Sequence, residues 1–201
     1  MFYFFEVEDE RFLERIYRFR YEIVCEELGF FDKNKYPDKL EYDEYDNYAN
    51  QFVALDENME IAATMRFIHH SPIGYPALKH LRLYPHFQAL IEQYKKEKIS
   101  EISRVFIHKK YRNFSDTRTI IKRFITEQTY FIAKEYGIEY GFAAIEGRFL
   151  RLLRKFNLNF EPVGEEQSGY GSPRFPCVLP TMRLERDNPH LVEKYYKRRW
   201  F

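Results

Sequence analysis

The sequence has few of the features that would place it in a specialised class. It contains only two cysteines, Cys25 and Cys177, far apart in the chain, so we expect neither a disulfide framework nor a zinc site. Its 32 basic and 31 acidic residues leave a net charge of +1, which gives no support for nucleic-acid binding. No apolar run approaches the ~18 residues that a transmembrane helix needs. The first residues lack the basic stretch and apolar core of a signal peptide. We therefore expect a cytoplasmic protein with no transmembrane segment.

Aromatic side chains are abundant, with 20 Phe and 17 Tyr among 201 residues. A chain of this length with 45% hydrophobic residues can bury a substantial core. No internal repeat or low-complexity linker divides it. The sequence therefore predicts a single domain over residues 1–201.

Hydrophobic periodicity predicts the order β-α-β-β-(α)-β-α-β-α-β. The predicted strands cover residues 2–6, 51–56, 61–68, 101–108 and 139–145, with a last strand near 177–184. The predicted helices run from Asp9 to Gly29, over 87–96, over 117–136 with Ser115 as N-cap, over 148–157, and along the tail to Phe201. A β-α-β unit implies parallel strands, whereas the hairpin of 51–68 is antiparallel. We therefore expect an α/β (α+β) fold with a mixed sheet covered by helices.

Two segments in the first quarter of the chain carry charges that could form a site. Arg20 falls on the apolar side of the first predicted helix, where a buried guanidinium needs a carboxylate partner. Asp43 and Asp46 lie in a long acidic loop, and their spacing lets both face one site in a turn. The alternative is that Arg20 extends to the protein edge and that the acidic run is a solvated surface.

The predicted strands add a second group of polar residues. Arg66 lies near the end of the strand at 61–68, and Glu101, Ser103 and Arg104 begin the next strand. Strict alternation points Glu101 and Arg104 to opposite faces of the sheet, so they share a face only if the strand contains a bulge. Taken singly, each of these residues could also be structural.

A basic segment lies before and within the long predicted helix. Its cations are Lys109, Lys110, Arg112, Arg118, Lys122 and Arg123. Cations beside a helix N-terminus are typical of a phosphate site, although a solvated basic surface is the alternative. The glycines at 164–171 lack the ending of a nucleotide-binding P-loop, and the six histidines lack zinc-ligand spacing, so we expect no metal.

The element order resembles the GNAT acyltransferase fold, and four motifs resemble one branch of it. They are Arg20–Phe30, Glu41–Asp46, Met65–Ile68 and Glu101–Phe106. This branch contains the acyl-homoserine-lactone (autoinducer) synthases of quorum sensing, the N-acyl amino acid synthases and the exosortase-associated acyltransferases. The resemblance implies a mixed, mostly antiparallel sheet with helices on both faces. It also implies an enzyme that transfers a fatty acyl group to the amine of a small amino-acid-like acceptor.

The resemblance also implies roles for individual residues. Glu101, Ser103 and Arg104 match the catalytic Glu-x-Ser-Arg element, with Glu101 as the base. The residues expected at the amine-substrate pocket are Arg20, Phe30, Asp43, Asp46, Arg66 and Phe106. Phe30 stands where autoinducer synthases typically carry Trp, and Val24 where they typically carry Phe. Both differences fall on the wall expected to contact the acceptor. The identity of the acceptor, S-adenosylmethionine or an amino acid, therefore stays open.

The turn at 112–117 bears on the acyl donor. GNAT enzymes that use coenzyme A hold its pyrophosphate with a glycine-rich turn before the long helix, but this turn has no glycine. We therefore expect acyl-phosphopantetheine on an acidic acyl carrier protein as donor, docked on the basic segment, and no tightly bound cofactor. A coenzyme-A-dependent acetyltransferase and a non-catalytic acyl-binding module are the alternatives.

Overall fold

The computed structural model describes residues 1–168 and 170–199 and contains a seven-stranded sheet. The strands are β1 (Tyr3–Val7), β2 (Ala49–Leu55), β3 (Ile61–His69), β4 (Ile99–Ile107), β5 (Tyr140–Ile145), β6 (Glu161–Pro162) and β7 (Phe175–Pro180). Their order in the sheet is β1-β2-β3-β4-β5-β7-β6. Only the pair β4–β5 is parallel among these strands, so the predicted mixed, mostly antiparallel sheet is confirmed.

Helices connect and cover the strands. They are α1 (Glu10–Tyr21), α2 (Pro76–His80), α3 (Pro85–Ile91), α4 (Phe114–Thr119), α5 (Glu127–Glu135), α6 (Gly147–Arg154), α7 (Thr181–Asp187) and α8 (His190–Arg199). A π-helical segment, Ile120–Thr126, joins α4 to α5, and a second one, Glu22–Glu27, extends α1. None of the described helices is long and apolar enough to cross a bilayer.

Alternating side chains of the sheet build a core on each face. Phe52 of β2 packs with Met65 and with Phe124 of the π-helical segment. Val53, the next residue of β2, points the other way and packs with Ile16 of α1. Helices therefore cover both faces, as predicted.

Helix ends show where the sequence is informative and where it is not. Asp9 caps α1 as predicted, because its carboxylate accepts a hydrogen bond from the N–H of Phe12. The prediction that Ser115 caps the long helix is wrong. Asn113 is the N-cap, and its side chain accepts from the N–H of Asp116. Both residue types are good caps, so composition alone could not separate them.

Two predicted elements have boundaries that differ by several residues from the structure, and a third extends beyond the described residues. The last strand ends at Pro180, and the following residues form α7 rather than strand. The helix expected over 87–96 is α3, which begins at Pro85 and ends at Ile91. The predicted tail helix is observed as α8, and its last two predicted residues, Trp200 and Phe201, lie outside the described residues.

The β4–β5 pair sets up the site because its strands separate. Their parallel pairing covers Ile99–Glu101 and ends at Glu101 opposite Phe142. Beyond that point β4 continues to Ile107 and β5 to Ile145 without pairing to each other. The backbone groups on the facing edges are therefore left free of the ladder, and the gap opens directly after Glu101.

Candidate active site

Arg20 is the buried end of an ion-pair network. Its side chain is fully buried, and its Nε donates to Glu41 Oε2 at 2.6 Å. Its two terminal nitrogens donate to the carboxylate of Asp46 at 2.7 and 3.1 Å. The prediction that Arg20 needs a carboxylate partner is confirmed, and the alternative that it extends into solvent is wrong.

Asp43 and Asp46 are brought together by a short 3₁₀ turn, Glu44–Tyr48. Asp43 caps the turn, and the carboxylate of Asp46 accepts the N–H of Asp43 at 2.8 Å. This reciprocal capping turns both carboxylates toward Arg66, whose Nη1 lies 2.6 Å from Asp43 and 3.0 Å from Asp46. The predicted convergence of the two aspartates is confirmed.

Glu41 is a member of this network that the sequence did not single out. It is fully buried and pairs with two arginines, Arg20 and Arg104. Arg104 donates to Glu41 through Nε at 3.0 Å and through Nη2 at 2.7 Å. The signal was present, since Glu41 begins the acidic run, but nothing in the composition separates its buried carboxylate from the exposed ones beside it.

A β-bulge places Arg104 in the network. Between the paired positions Arg66–Ser103 and Thr64–Phe106, β4 contains one residue more than β3. Arg104 has a φ of 50° there, a left-handed conformation that is unusual for a non-glycine residue and frequent near functional sites. The bulge that the sequence required for Glu101 and Arg104 to share a face is therefore observed.

The network is balanced in charge. Three guanidinium groups, of Arg20, Arg66 and Arg104, meet the three carboxylates of Glu41, Asp43 and Asp46. Burial alone would raise the pKa of Glu41, but Arg104 and Arg20 outweigh it and lower the pKa to about 2. The pKa of Asp46 is lowered in the same way, against the effect of burial, by Arg20 and Arg66. Glu41 and Asp46 are therefore ionised at neutral pH, where each faces buried guanidinium groups.

Glu101 differs from the other carboxylates because it makes no ion pair within the described residues. It is 2% exposed, and its Oε2 accepts the N–H of Ala77 at 2.7 Å. Burial raises its pKa to about 7, although the Ala77 N–H and the charges of Arg66 and Arg104 act in the opposite direction. A carboxylate with a pKa near neutrality can accept a proton in one step and release it in the next.

A cavity of about 110 Å³ lies in the gap between β4 and β5. The polar residues of its lining are Glu101, Ser103, Arg104, Tyr170 and Arg174. Its apolar lining residues include Ile125, Ile145, Phe149, Leu153, Leu158 and Phe160. Phe30 and Phe106 also line it, as expected for wall residues, and Ser103 Oγ accepts from Arg66 Nε at 3.0 Å. The candidate catalytic residues thus share one cavity, and the ion-pair network lies directly behind them.

The segment between β6 and β7, residues 163–174, adds two lining residues that sequence reasoning missed, Tyr170 and Arg174. In the sequence, the glycines of this segment were considered only as a P-loop and rejected as one, because they lack its ending. Gly171 has a φ of +80°, and a Cβ at this position would lie 2.3 Å from Cβ of Phe30. Glycine is therefore required for the loop to lie against Phe30.

Comparison with known proteins identifies the family. Residues 19–122, about half of the chain, match the family model described as an acetyltransferase (GNAT) domain. The chain belongs to this family. It is therefore an acyltransferase of the GNAT type, and the resemblance recognised in the sequence is confirmed. No curated protein matches the chain.

Solved structures share the fold of this GNAT domain at low sequence identity. The coenzyme-A-dependent acyl-homoserine lactone synthase BjaI, solved with S-adenosylmethionine and isopentyl-CoA, has a TM-score of 0.68 at 19% identity, covering 91% of this chain and 83% of its own. The N-acyl amino acid synthase FeeM from uncultured soil microbes has a TM-score of 0.68 at 16% identity, and the match covers 93% of this chain and 94% of FeeM. A GNAT acetyltransferase from Staphylococcus aureus Mu50 has a TM-score of 0.56 at 17% identity, covering 90% and 99%.

The basic segment of the GNAT domain forms an exposed surface. Lys109, Arg118 and Lys122 are exposed and form no ion pair within the described residues. Lys110 pairs with Asp56, and Arg112 pairs with Glu27. Arg123 is exposed and lies over the ring of Phe4. None of these side chains is among the residues that line the cavity, so a ligand that they bind would lie on the surface.

Proposed function

We propose that this GNAT domain transfers a fatty acyl group from a thioester to the amine of a small amino-acid-like acceptor. The observation that carries the proposal is one cavity that joins an unpaired buried carboxylate, Glu101, to an apolar space. The carboxylate suits proton transfer from an amine, and the apolar lining suits an acyl chain. The thioester carbonyl would lie between them, where β4 and β5 separate.

The chemistry needs one base and one oxyanion site. The amine nitrogen attacks the thioester carbonyl carbon and gives a proton to Glu101, directly or through water. The carbonyl oxygen becomes an oxyanion, which the free backbone N–H groups of β4 near Arg104–Phe106 would stabilise. When the carbon–sulfur bond breaks, the thiolate takes the proton that Glu101 had accepted and leaves as a thiol, and the amide remains. Arg104 and Ser103 hold the strand and the network in place.

The helix N-terminus supports phosphopantetheine rather than coenzyme A as the donor. At the start of α4 the Asn113 side chain accepts a hydrogen bond from the N–H of Asp116, so this N–H is not available to a phosphate. The Asp116 carboxylate in turn accepts from Asn113 Nδ2 at 2.7 Å. An acidic group at this position repels a pyrophosphate and favours donors with less charge. An acyl carrier protein is acidic, and the exposed cations Lys109, Arg118 and Lys122 would complement it.

A coenzyme A thioester is the second candidate donor, because BjaI, which shares the fold, is described as coenzyme-A-dependent. Acylation rates measured separately with each donor distinguish the two candidates. We expect octanoyl carrier protein to support faster acylation than octanoyl-CoA at equal concentration. Charge reversal at Lys109 and Lys122 should slow only the carrier-protein reaction. Equal rates from both donors, unaffected by the reversal, would favour coenzyme A.

Mass spectrometry of lipid extracts tests the activity itself. Cells that express the protein should accumulate an N-acyl product that is absent from cells expressing Glu101→Gln at the same level. The product would identify the acyl chain and the acceptor together. Identical extracts from the two cultures would contradict the proposal.

A further inference from the structure

Two residues of the segment between β6 and β7 that line the cavity carry polar atoms without a hydrogen-bond partner. Tyr170 Oη and Arg174 Nε are both buried without a hydrogen-bond partner in the described part of the chain. Buried donors without partners are rare in folded proteins and costly, so each such group calls for a specific explanation. A ligand that accepts both hydrogen bonds would supply one.

Arg174 also differs from every arginine of the ion-pair network. Arg20, Arg66 and Arg104 are each neutralised by carboxylates, whereas no carboxylate pairs with Arg174 among residues 1–168 and 170–199. Burial lowers the pKa of Arg174, and a guanidinium still remains charged at neutral pH. The Glu146 carboxylate acts on this pKa in the opposite direction, but it forms no ion pair with Arg174 in the described part of the chain. The cavity lining therefore includes an arginine without an ion-pair partner among the described residues.

The segment is packed so that these groups are held at the cavity. The guanidinium carbon of Arg174 lies 5.8 Å from the centre of the Phe30 ring, and the missing side chain of Gly171 allows the backbone to touch Phe30. Tyr170 and Arg174 line the same cavity as Glu101. Tyr170 is close enough to Glu101 for the charge of that carboxylate to raise the pKa of Tyr170 further after burial has raised it. The tyrosine stays protonated and can donate.

We propose that Arg174 and Tyr170 bind the free carboxylate of the acceptor, so that the acceptor is an amine that also carries a carboxylate, as an α-amino acid does. This inference rests on the proposed function. A guanidinium binds a carboxylate through two parallel hydrogen bonds, and the tyrosine hydroxyl adds a third donor. With the carboxylate held on Arg174, the amine on the neighbouring carbon faces the part of the cavity where Glu101 lies.

Binding of the product tests the site without requiring turnover. We would titrate N-octanoyl-L-phenylalanine, N-octanoyl-L-methionine and N-octanoylglycine by calorimetry, each against its carboxamide, which has the same shape but no charge. The wild-type protein should bind at least one of the acids more than tenfold more tightly than its amide. In Arg174→Ala the ratio should fall below about twofold, and Arg174→Lys should recover part of it.

Two further variants separate the site from general effects on folding. Tyr170→Phe should lower the affinity for the acid while leaving that for the amide unchanged. Arg186→Ala removes an exposed arginine that pairs with its neighbour Asp187, and it should behave as wild type. Equal affinity for acid and amide in the wild-type protein, a preference that persists in Arg174→Ala, or no binding of any product would overturn the inference.

Turnover distinguishes this inference from the proposed function. If the free acids and the carboxamides of the three amino acids are acylated at equal rates, the acyltransferase proposal stands and the carboxylate site is wrong. If nothing is acylated but the products bind with an Arg174-dependent preference for the acid, the site stands and the proposed reaction is wrong.

Discussion

Glu41 joins Arg20 of the first helix to Arg104 of the bulged strand, and all three side chains are buried or nearly so. The carboxylate accepts from both guanidinium groups at 2.6 to 3.1 Å. Because Arg104 belongs to the strand that forms one wall of the cavity, the ion-pair network fixes the position of that wall relative to α1. The network therefore stabilises the arrangement of residues at the site.

Replacing Glu41 by glutamine should destabilise the protein strongly. The change leaves Arg20 and Arg104 short of one buried negative charge, and removing one partner of a buried pair costs about 3–5 kcal/mol. Urea denaturation at pH 7 measures the loss. The matched control is Glu14→Gln, which removes the exposed partner of Arg18 and should change the midpoint little. A Glu41→Gln midpoint equal to that of the control would show that the network does not hold the fold.

The effect of Glu41→Gln on the free energy of unfolding should depend on pH. The pKa of Glu41 is lowered from 4.5 to about 2 in the folded protein, so its contribution is complete above pH 4.5 and is lost as the pH falls toward 2. The difference in free energy of unfolding between wild type and Glu41→Gln should be constant from pH 5 to 7 and shrink below pH 4.5. A constant difference down to pH 3 would contradict the assigned pKa direction.

The sequence predicted the ion-pair network better than it predicted the cavity. Arg20 on an apolar helix face requires a partner, and the spacing of Asp43 and Asp46 fits a turn, so local rules were sufficient for these three residues, although they did not single out Glu41. The sequence shows only that Glu101 and Arg104 would share a face if β4 contained a bulge. It does not show the bulge itself, because the alternation of side chains along a strand does not reveal an inserted residue. Tyr170 and Arg174 line the cavity because their segment packs against Phe30, which lies far away in the sequence. No local sequence pattern predicts a contact between such distant segments.

Gly171→Ala should impair the site through Phe30. A Cβ at residue 171 would lie 2.3 Å from Cβ of Phe30 and 2.5 Å from Cγ, so the loop or Phe30 must shift. Gly74→Ala is the matched control, since Gly74 has the same φ of +80° but a Cβ added there would meet nothing within 4 Å. Both variants lose comparable backbone stability, while only Gly171→Ala should raise the KM for the acceptor, by about tenfold or more if one charged contact is lost. Equal KM values in the two variants would mean that the loop does not contact the acceptor.

Ala144 offers a test of the acyl site. It lies on β5, is partly buried and lines the cavity, so leucine at this position should fill space otherwise open to an acyl chain. We expect Ala144→Leu to shift the preferred donor toward shorter chains in assays with C4 to C16 thioesters. Ala89→Leu, on the exposed face of α3, should leave the chain-length profile unchanged. An unchanged profile in Ala144→Leu would place the acyl chain elsewhere.

Glu101 bears the central claim, and the pH dependence of kcat/KM for the acceptor tests it most directly, because kcat/KM reports the pKa values of the free protein. Burial raises the pKa of this carboxyl to about 7, and the base must be ionised, so kcat/KM, expressed per unprotonated amine, should rise with pH and level off above an apparent pKa near 7. Glu101→Gln should lower the plateau by roughly 10²–10⁴-fold. It should also raise the free energy of unfolding at pH 8, where the wild-type carboxylate is buried and charged, and have less effect near pH 4.5. A kcat/KM for Glu101→Gln equal to that of the wild type across the pH range would contradict the account.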